Sequence, residues 1–234
     1  MHIPDGLLDP KISFGLMGAA VAVLGYCLAK VKAAVTALVQ QPAFAAIGQG
    51  IKSFAGGGRR ALTKLGEQKI YAMGMVASLI FAAQMFNFPI GQGTSGHLLG
   101  GVLAVVLLGP FAGTLVIAAV LGVQSLFFAD GGLLALGANI INMAVLGALL
   151  SYYLYAGMKK YLPESVSIGL AAWLSVVLAA LGASLEIGFS GTISFGVVAV
   201  AMLKVHAIIG IAEALLTLVL INIFRKLVAL PAED

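Results

Sequence analysis

Two of the three histidines in this chain stand in unusual backbone settings. His2 follows Met1 directly in "MHIPDGLLDP", and His97 closes the polar, glycine-dense stretch "NFPIGQGTSGH". A free amino terminus followed by histidine is a chelator in its own right. The Met1 amine and the His2 backbone nitrogen close a five-membered ring on a metal ion. The His2 amide nitrogen and imidazole Nδ1 close a six-membered ring, the amide giving up its proton to the metal. Those three nitrogens lie in one plane, and one more imidazole, such as that of His97, completes a square. Square-planar nitrogen sites favour Ni2+ or Cu2+, and nitrogen donors in general bind the later divalent ions tightly. Because the donors must be deprotonated, binding weakens as pH falls. The competing reading of His2 is a surface residue on a frayed terminus.

The elements that must position these groups are apolar. The 234 residues are 61% hydrophobic and only 9% charged, with a mean hydropathy of +1.09. A soluble domain carries about 25% charged residues, so this composition implies an integral protein of the cell membrane. Pro4, Asp5, Asp9 and Pro10 make the first ten residues unlike a cleavable signal, and the terminus is expected to be retained. Cys27 lies in an apolar run and reads as a small buried hydrophobe. The net charge of +4 does topological work and implies no nucleic-acid partner.

Apolar stretches fall at about 12–29, 70–88, 98–109, 110–128, 138–157, 165–186 and 204–224, most near the ~20 residues a bilayer core requires. Residues 98–128 could be one span or two, because Pro110 in "LGPF" breaks a helix. The basic residues decide. Lys30, Lys32, Lys52, Arg59, Arg60, Lys64 and Lys69 oppose the single acid Glu67 between the first two spans, which makes residues 30–69 a cytoplasmic basic loop. Two helices across 98–128 then bring Lys159–Lys160 and Arg225–Lys226 to that same side. The expectation is one all-α transmembrane domain over 1–234, with seven spans, N-terminus outside and C-terminus cytoplasmic. A helix from Leu98 to Gly109 is only ~18 Å long against a ~30 Å core. Residues 88–97 are therefore expected to form a re-entrant outer loop at membrane depth, where irregular backbone lines a cavity. His97 would stand on the floor of an outward-facing recess.

The remaining polar residues within or beside spans are candidates for supporting roles, since such groups are costly in a bilayer. His206 and Glu213 are seven apart on the last span, hence on one face. Gln84, Asn87, Gln124, Asn139 and Asn142 could bond between helices or orient a ligating histidine, as could Ser95 in the loop before His97. Asp130 in "FADGG" could guard the entrance. Met73, Met75 and Met85 read as packing residues. No phosphate-binding loop, serine–histidine–acid set or H-E-x-x-H motif occurs, so no bound nucleotide is expected and any ATPase must be another subunit.

Together, "MHIPDGLLDP", "AAQMFNFPIGQGTSGHLLGGVLA" at 82–104, "FADGGLLALGANIINM" at 128–143 and "HAIIGIAEALLT" at 206–217 resemble the NikM/CbiM family. These are substrate-capture (S) components of energy-coupling-factor (ECF) transporters for nickel and cobalt. The resemblance runs through nearly the whole chain in order. It implies a seven-helix membrane protein whose N-terminus tucks into the bundle, with Ni2+ or Co2+ ligated by the Met1 amine, the His2 amide and imidazole, and His97. It implies a transmembrane coupling (T) subunit, two ATPase subunits and a small auxiliary membrane subunit as partners. The 30–69 loop is longer than the family leads one to expect. Against this non-enzymatic reading stand a Co2+ importer serving cobalamin biosynthesis, an autonomous proton-coupled carrier using His206 and Glu213, and a membrane metalloenzyme. The last is disfavoured because four protein nitrogens leave no in-plane position open.

Overall fold

The computed structural model describes residues 1–46, 64–91 and 94–227. Among them run the helices α1 (Pro10–Ala46), α2 (Lys64–Gln84), α3 (Gly101–Leu108), α4 (Pro110–Phe128), α5 (Leu136–Met158), α6 (Glu164–Phe189) and α7 (Phe195–Leu227). A short antiparallel hairpin, β1 (Phe88–Gly91) with β2 (Thr94–Gly96), joins α2 to α3. Helices α1, α4, α5, α6 and α7 are each long and apolar enough to cross a bilayer. The protein is a multi-pass membrane protein. Helix α2 has 21 residues but opens on Lys64, Glu67 and Lys69, and α3 has only 8.

The break at Pro110 divides residues 98–128 into two helices, as the sequence suggests. Gly109 takes φ 82°, ψ 164°, a conformation suited to glycine, and Pro110 opens α4, where its missing N–H costs nothing. Helices α3 and α4 then pack so closely that a Cβ on Gly113 would lie 2.7 Å from the Val105 nitrogen. Helix α3 begins at Gly101, not Leu98: residues 97–100 lie outside any helix or strand, and Gly100 takes the left-handed φ 75°, ψ 6°. At 8 residues it spans only ~12 Å.

Two expected boundaries move. Helix α1 continues past Lys30 to Ala46, and α2 already begins at Lys64, so the 30–69 loop is narrower than charge alone implied. Charge marks where a chain leaves the bilayer, but lysine, alanine and leucine continue a helix readily beyond that point. The rest of that loop, residues 47–63, lies outside the described residues. Within the 88–97 segment, Phe88–Gly91 and Thr94–Gly96 pair as antiparallel strands, with Phe88 opposite Gly96 and Pro89 opposite Ser95.

The core uses small side chains. Ala171, Ala172, Ser175, Ala179, Ala180 and Ala183 are all buried on α6, which lets neighbouring backbones approach closely. Residues Ile141–Leu150 of α5 form a π-helix, a form frequent near functional sites. At one end of the bundle gather the N-terminal segment, the hairpin, the 129–135 turn and the 190–194 turn. At the other end, Arg225 on α7 donates to both carboxylate oxygens of Glu164, at 2.9 and 3.3 Å, pinning α7 to the start of α6.

Candidate metal centre

The first nine residues form a plug seated by hydrogen bonds to distant parts of the chain. The Asn139 side chain clamps Ile3: its Oδ1 accepts from the Ile3 N–H at 2.8 Å, and its Nδ2 donates to the Ile3 carbonyl at 3.1 Å. Gly132 N–H donates to the same carbonyl at 3.0 Å. The Asp5 carboxylate accepts from the amides of Leu133, Leu134 and Ala135, at 3.1, 2.9 and 3.2 Å, just ahead of α5. Amides at a helix start lack intrahelical acceptors, and an acidic side chain is a favourable partner for them. Thr192 Oγ1 donates to the Leu7 carbonyl at 2.7 Å. Glycines admit this approach. Gly131 has φ 90°, and a Cβ there would lie 2.9 Å from His2 Nδ1.

This seat makes the terminus part of the interior. Met1 and His97 are 0% exposed and His2 only 3%. The Met1 amine donates to the Ser95 carbonyl and to Ser95 Oγ, the latter at 3.0 Å. The imidazoles of His2 and His97 stack with centroids 4.6 Å apart and planes 27° off parallel. Bonds of ~2 Å from imidazole nitrogen to a metal put both rings within reach of one ion. His97 Nδ1 lies 2.7 Å from the Leu98 carbonyl. A carbonyl only accepts, so Nδ1 carries the proton and Nε2 holds the lone pair. That Nε2 is buried with no hydrogen-bond partner.

Burial sets the protonation. The Met1 amine is held down to about 4 from an ordinary 8.0, mainly by desolvation, with the Asp130 charge pulling upward. His2 is lowered to about 3 by burial first and the amine's charge second. His97 falls well below 6.5 for the same two reasons, with His2 and His206 adding to them and its bond to the Leu98 carbonyl opposing. All three are neutral bases at pH 7, the state in which nitrogen can ligate. Asp130 Oδ2 stands 3.6 Å from His2 Nε2, and its Oδ1 accepts from Asn87 Nδ2 at 3.0 Å. Desolvation raises the Asp130 carboxyl, with Asn87 and the amine opposing. The edge of His2 remote from Nδ1 thus faces a carboxylate, an arrangement that orients metal-binding histidines.

The His97 segment is held from below. Glu213, buried in α7, accepts from the Leu99 N–H at 2.8 Å and the Gly100 N–H at 2.7 Å, capping the start of α3. Gln84 Nε2 donates to the Leu99 carbonyl at 2.7 Å. Of the residues singled out from sequence, Ser95 touches the amine, Asn139 the N-terminal plug, Gln84 and Glu213 the backbone after His97, and Asn87 reaches His2 through Asp130. Asn142 pairs elsewhere, donating to Glu186 Oε2 at 2.6 Å. Gln124 is fully buried with neither amide atom bonded. Asp5, Glu186 and Thr192 were not signalled by sequence. Only the "PDG" turn around Asp5 could have pointed to one of them. Among the described residues no cluster of three His, Cys, Asp or Glu side chains could hold a metal. The donors gathered here are two imidazoles and main-chain nitrogens.

The chain is 38% identical to a protein described as a putative fused nickel transport protein in Archaeoglobus fulgidus, over 93% of this chain and 63% of that one. It is also 38% identical to a putative metal transport protein of Haloquadratum walsbyi, over 93% of this chain and 86% of the relative. A probable fused nickel transport protein of Lactiplantibacillus plantarum is 34% identical over 80% of this chain, which spans 49% of its length. The chain thus spans less than two thirds of the fused relatives. The crystal structure of a truncated transition metal transporter superposes with a TM-score of 0.78 and 29% identity, over 97% of this chain and 99% of the other. The profile of the cobalt uptake substrate-specific transmembrane region matches residues 38–229, and the chain belongs to that family, CbiM.

Proposed function

We propose that this chain is the substrate-binding membrane subunit of an ECF-type importer, taking up Ni2+ or Co2+ from the outer face of the cell membrane. The ion is the cargo. It is held by the Met1 amine, the deprotonated His2 amide, His2 Nδ1 and His97 Nε2. The observation that carries this reading is a chain terminus buried in the protein interior, its amine beside two stacked imidazoles, each with an unpartnered Nε2. Burying the His97 Nε2 without a partner costs free energy, and a bound ion would return it.

In this reading all seven helices span or enter the membrane, with the N-terminus outside and the C-terminus in the cytoplasm. Helix α3 is the re-entrant element, and the basic residues at the ends of α1, α5 and α7 face inward. Nothing in the sequence binds nucleotide, so a coupling subunit and two ATPase subunits, with a small auxiliary membrane protein, would drive release to the inside. An autonomous proton-coupled carrier is less well supported. Both oxygens of Glu213 hold backbone amides, which suits a fixed cap better than a proton carrier.

The test is calorimetric titration of purified His97→Ala with Ni2+ and Co2+. High-affinity binding should vanish while membrane insertion persists. Retained wild-type affinity would remove His97 from the site.

A further inference from the structure

Helix α7 carries one charge that the metal centre does not use. Between Phe195 and Phe224 the only charged residues are Lys204 and Glu213. They stand nine residues apart, two and a half turns, and so on opposite faces of the helix. Glu213 is buried and holds the amides of Leu99 and Gly100, whereas Lys204 is exposed. Val197, Val200, Ile208, Ile211 and Leu215 share the Lys204 face, and each is more than half exposed. His206, two residues on, points the other way: it is fully buried, its Nδ1 donating to the Met202 carbonyl at 2.8 Å. The outer face of α7 is thus a lipid-facing stripe with a single amine in it. Among the described residues no carboxylate pairs with Lys204. An ionisable group in such a place is costly unless something outside the bundle receives it.

Position along the helix identifies the receiver. Twenty-one residues separate Lys204 from Arg225, ~31 Å of helix, and the hydrocarbon core of a bilayer is ~30 Å thick. With Arg225 and Lys226 at one boundary of that core, Lys204 lies at the other, on the side of the N-terminal plug. Side chains on a helix lean toward its N-terminus, and α7 begins on the plug side. The Lys204 stem therefore runs toward the near surface and brings its amine to headgroup level. A partner helix would have to bury a carboxylate to meet it, whereas a lipid phosphate already lies at that depth.

We propose that the Lys204 amine binds the phosphate of an anionic phospholipid in the leaflet on the plug side of the bundle. The acyl chains below that headgroup lie along Ile208, Ile211 and Leu215. The opposite face of the same helix holds the backbone after His97 through Glu213, so the bound lipid fixes the depth of the helix that caps this segment. The contact is independent of which ion is carried and of how the centre coordinates it.

Trp173, the only tryptophan, reports on this place. Its Nε1 donates to the Ala207 carbonyl at 3.0 Å, and a Cβ on Gly210 would lie 2.8 Å from its ring. The indole thus sits against α7 about 5–9 Å deeper in the bilayer than Lys204, beside the chains of a lipid held there. The test is quenching of Trp173 fluorescence in the full chain, reconstituted into phosphatidylcholine bilayers that contain phosphatidylglycerol brominated along its acyl chains. Brominated phosphatidylglycerol should compete for the site about fivefold better than brominated phosphatidylcholine, the scale of one basic residue at an anionic surface. The preference should persist in Lys204→Arg and fall to unity in Lys204→Gln. Equal quenching by the two lipids in the wild-type protein overturns the proposal and leaves the amine to a carboxylate of a partner helix. A preference that survives in Lys204→Gln overturns it as well, placing the anionic lipid elsewhere on the bundle.

Discussion

The buried terminus makes a quantitative prediction about protons. In an exposed site at pH 7 an amine of ordinary pKa is about 90% protonated and each imidazole about a quarter. Metal binding would then release about 2.4 protons, counting the His2 amide. Here the amine is lowered to about 4 and His2 to about 3, with His97 well below 6.5. Only the amide proton remains to be lost, so release should be about one per ion from pH 8 down to about 5. The perturbation is Asn139→Ala with Asp5→Ala, which removes two of the three hydrogen bonds to Ile3 and all three to Asp5 and loosens the plug in its seat. The released groups regain their ordinary pKa values, and the count should rise toward 2.4 at pH 7 and toward about four near pH 5. The sign for docking itself follows. The amine binds a proton when free but not when buried, so docking is strongest above about pH 8. It weakens by about 1.4 kcal/mol per pH unit as pH falls from there to about 6.5, and more steeply below, where the released imidazoles also take up protons. Calorimetry in buffers of different ionisation enthalpy reads the proton count directly. Release of 2.4 protons by the wild-type protein at pH 7 would refute a buried, neutral terminus in the metal-free state.

Further expectations follow from other features. One residue added before Met1, or Ala inserted between Met1 and His2, should destroy metal uptake, whereas a tag after Asp234 should be tolerated; undiminished affinity in the extended protein would sink backbone chelation. Glu213→Ala strands two buried amides and should cost about 3 kcal/mol, lowering the melting temperature by roughly 6–12 °C. Glu213→Gln keeps one acceptor and should retain uptake, which a proton-carrying Glu213 would not allow. Cysteines placed near Ser190 and Asp130 should label from outside and one at Lys160 should not, against a background in which native Cys27 is buried. Outside labelling at Lys160 would reverse the proposed topology.

The sequence made some of this legible and concealed the rest for identifiable reasons. Pro110 announces its helix break locally, and the apolar runs announce most of the helices. His97 stood out as a candidate because a short apolar run and a glycine-dense stretch adjoin it, and the structure buries it beside His2. The hairpin did not, since a strand as short and glycine-bounded as Thr94–Gly96 leaves no alternating pattern to read. The true length of α1 was hidden because charge reports the membrane surface and not the helix terminus. Asn139 was recognisable as an orienting amide, but not its target, because Ile3 is 136 residues away. Asp5, Thr192 and the link from Asp130 to His2 were concealed for the same reason: each is defined by a partner more than 100 residues distant.

That separation has a consequence in time. Ile3 cannot be clamped until Asn139 has been synthesised and α5 has entered the membrane. At ~5–20 residues per second the wait is roughly 7–27 s. Through that interval the leading segment has no seat, and its amine keeps the ordinary basicity of an exposed chain end. Any enzyme that acetylates nascent chains, and any stray metal ion that a Met-His terminus attracts, meets it during this window. Closure of the plug over α5 therefore follows synthesis of more than half the chain, and it fixes the chemical history of the first residue into the finished protein.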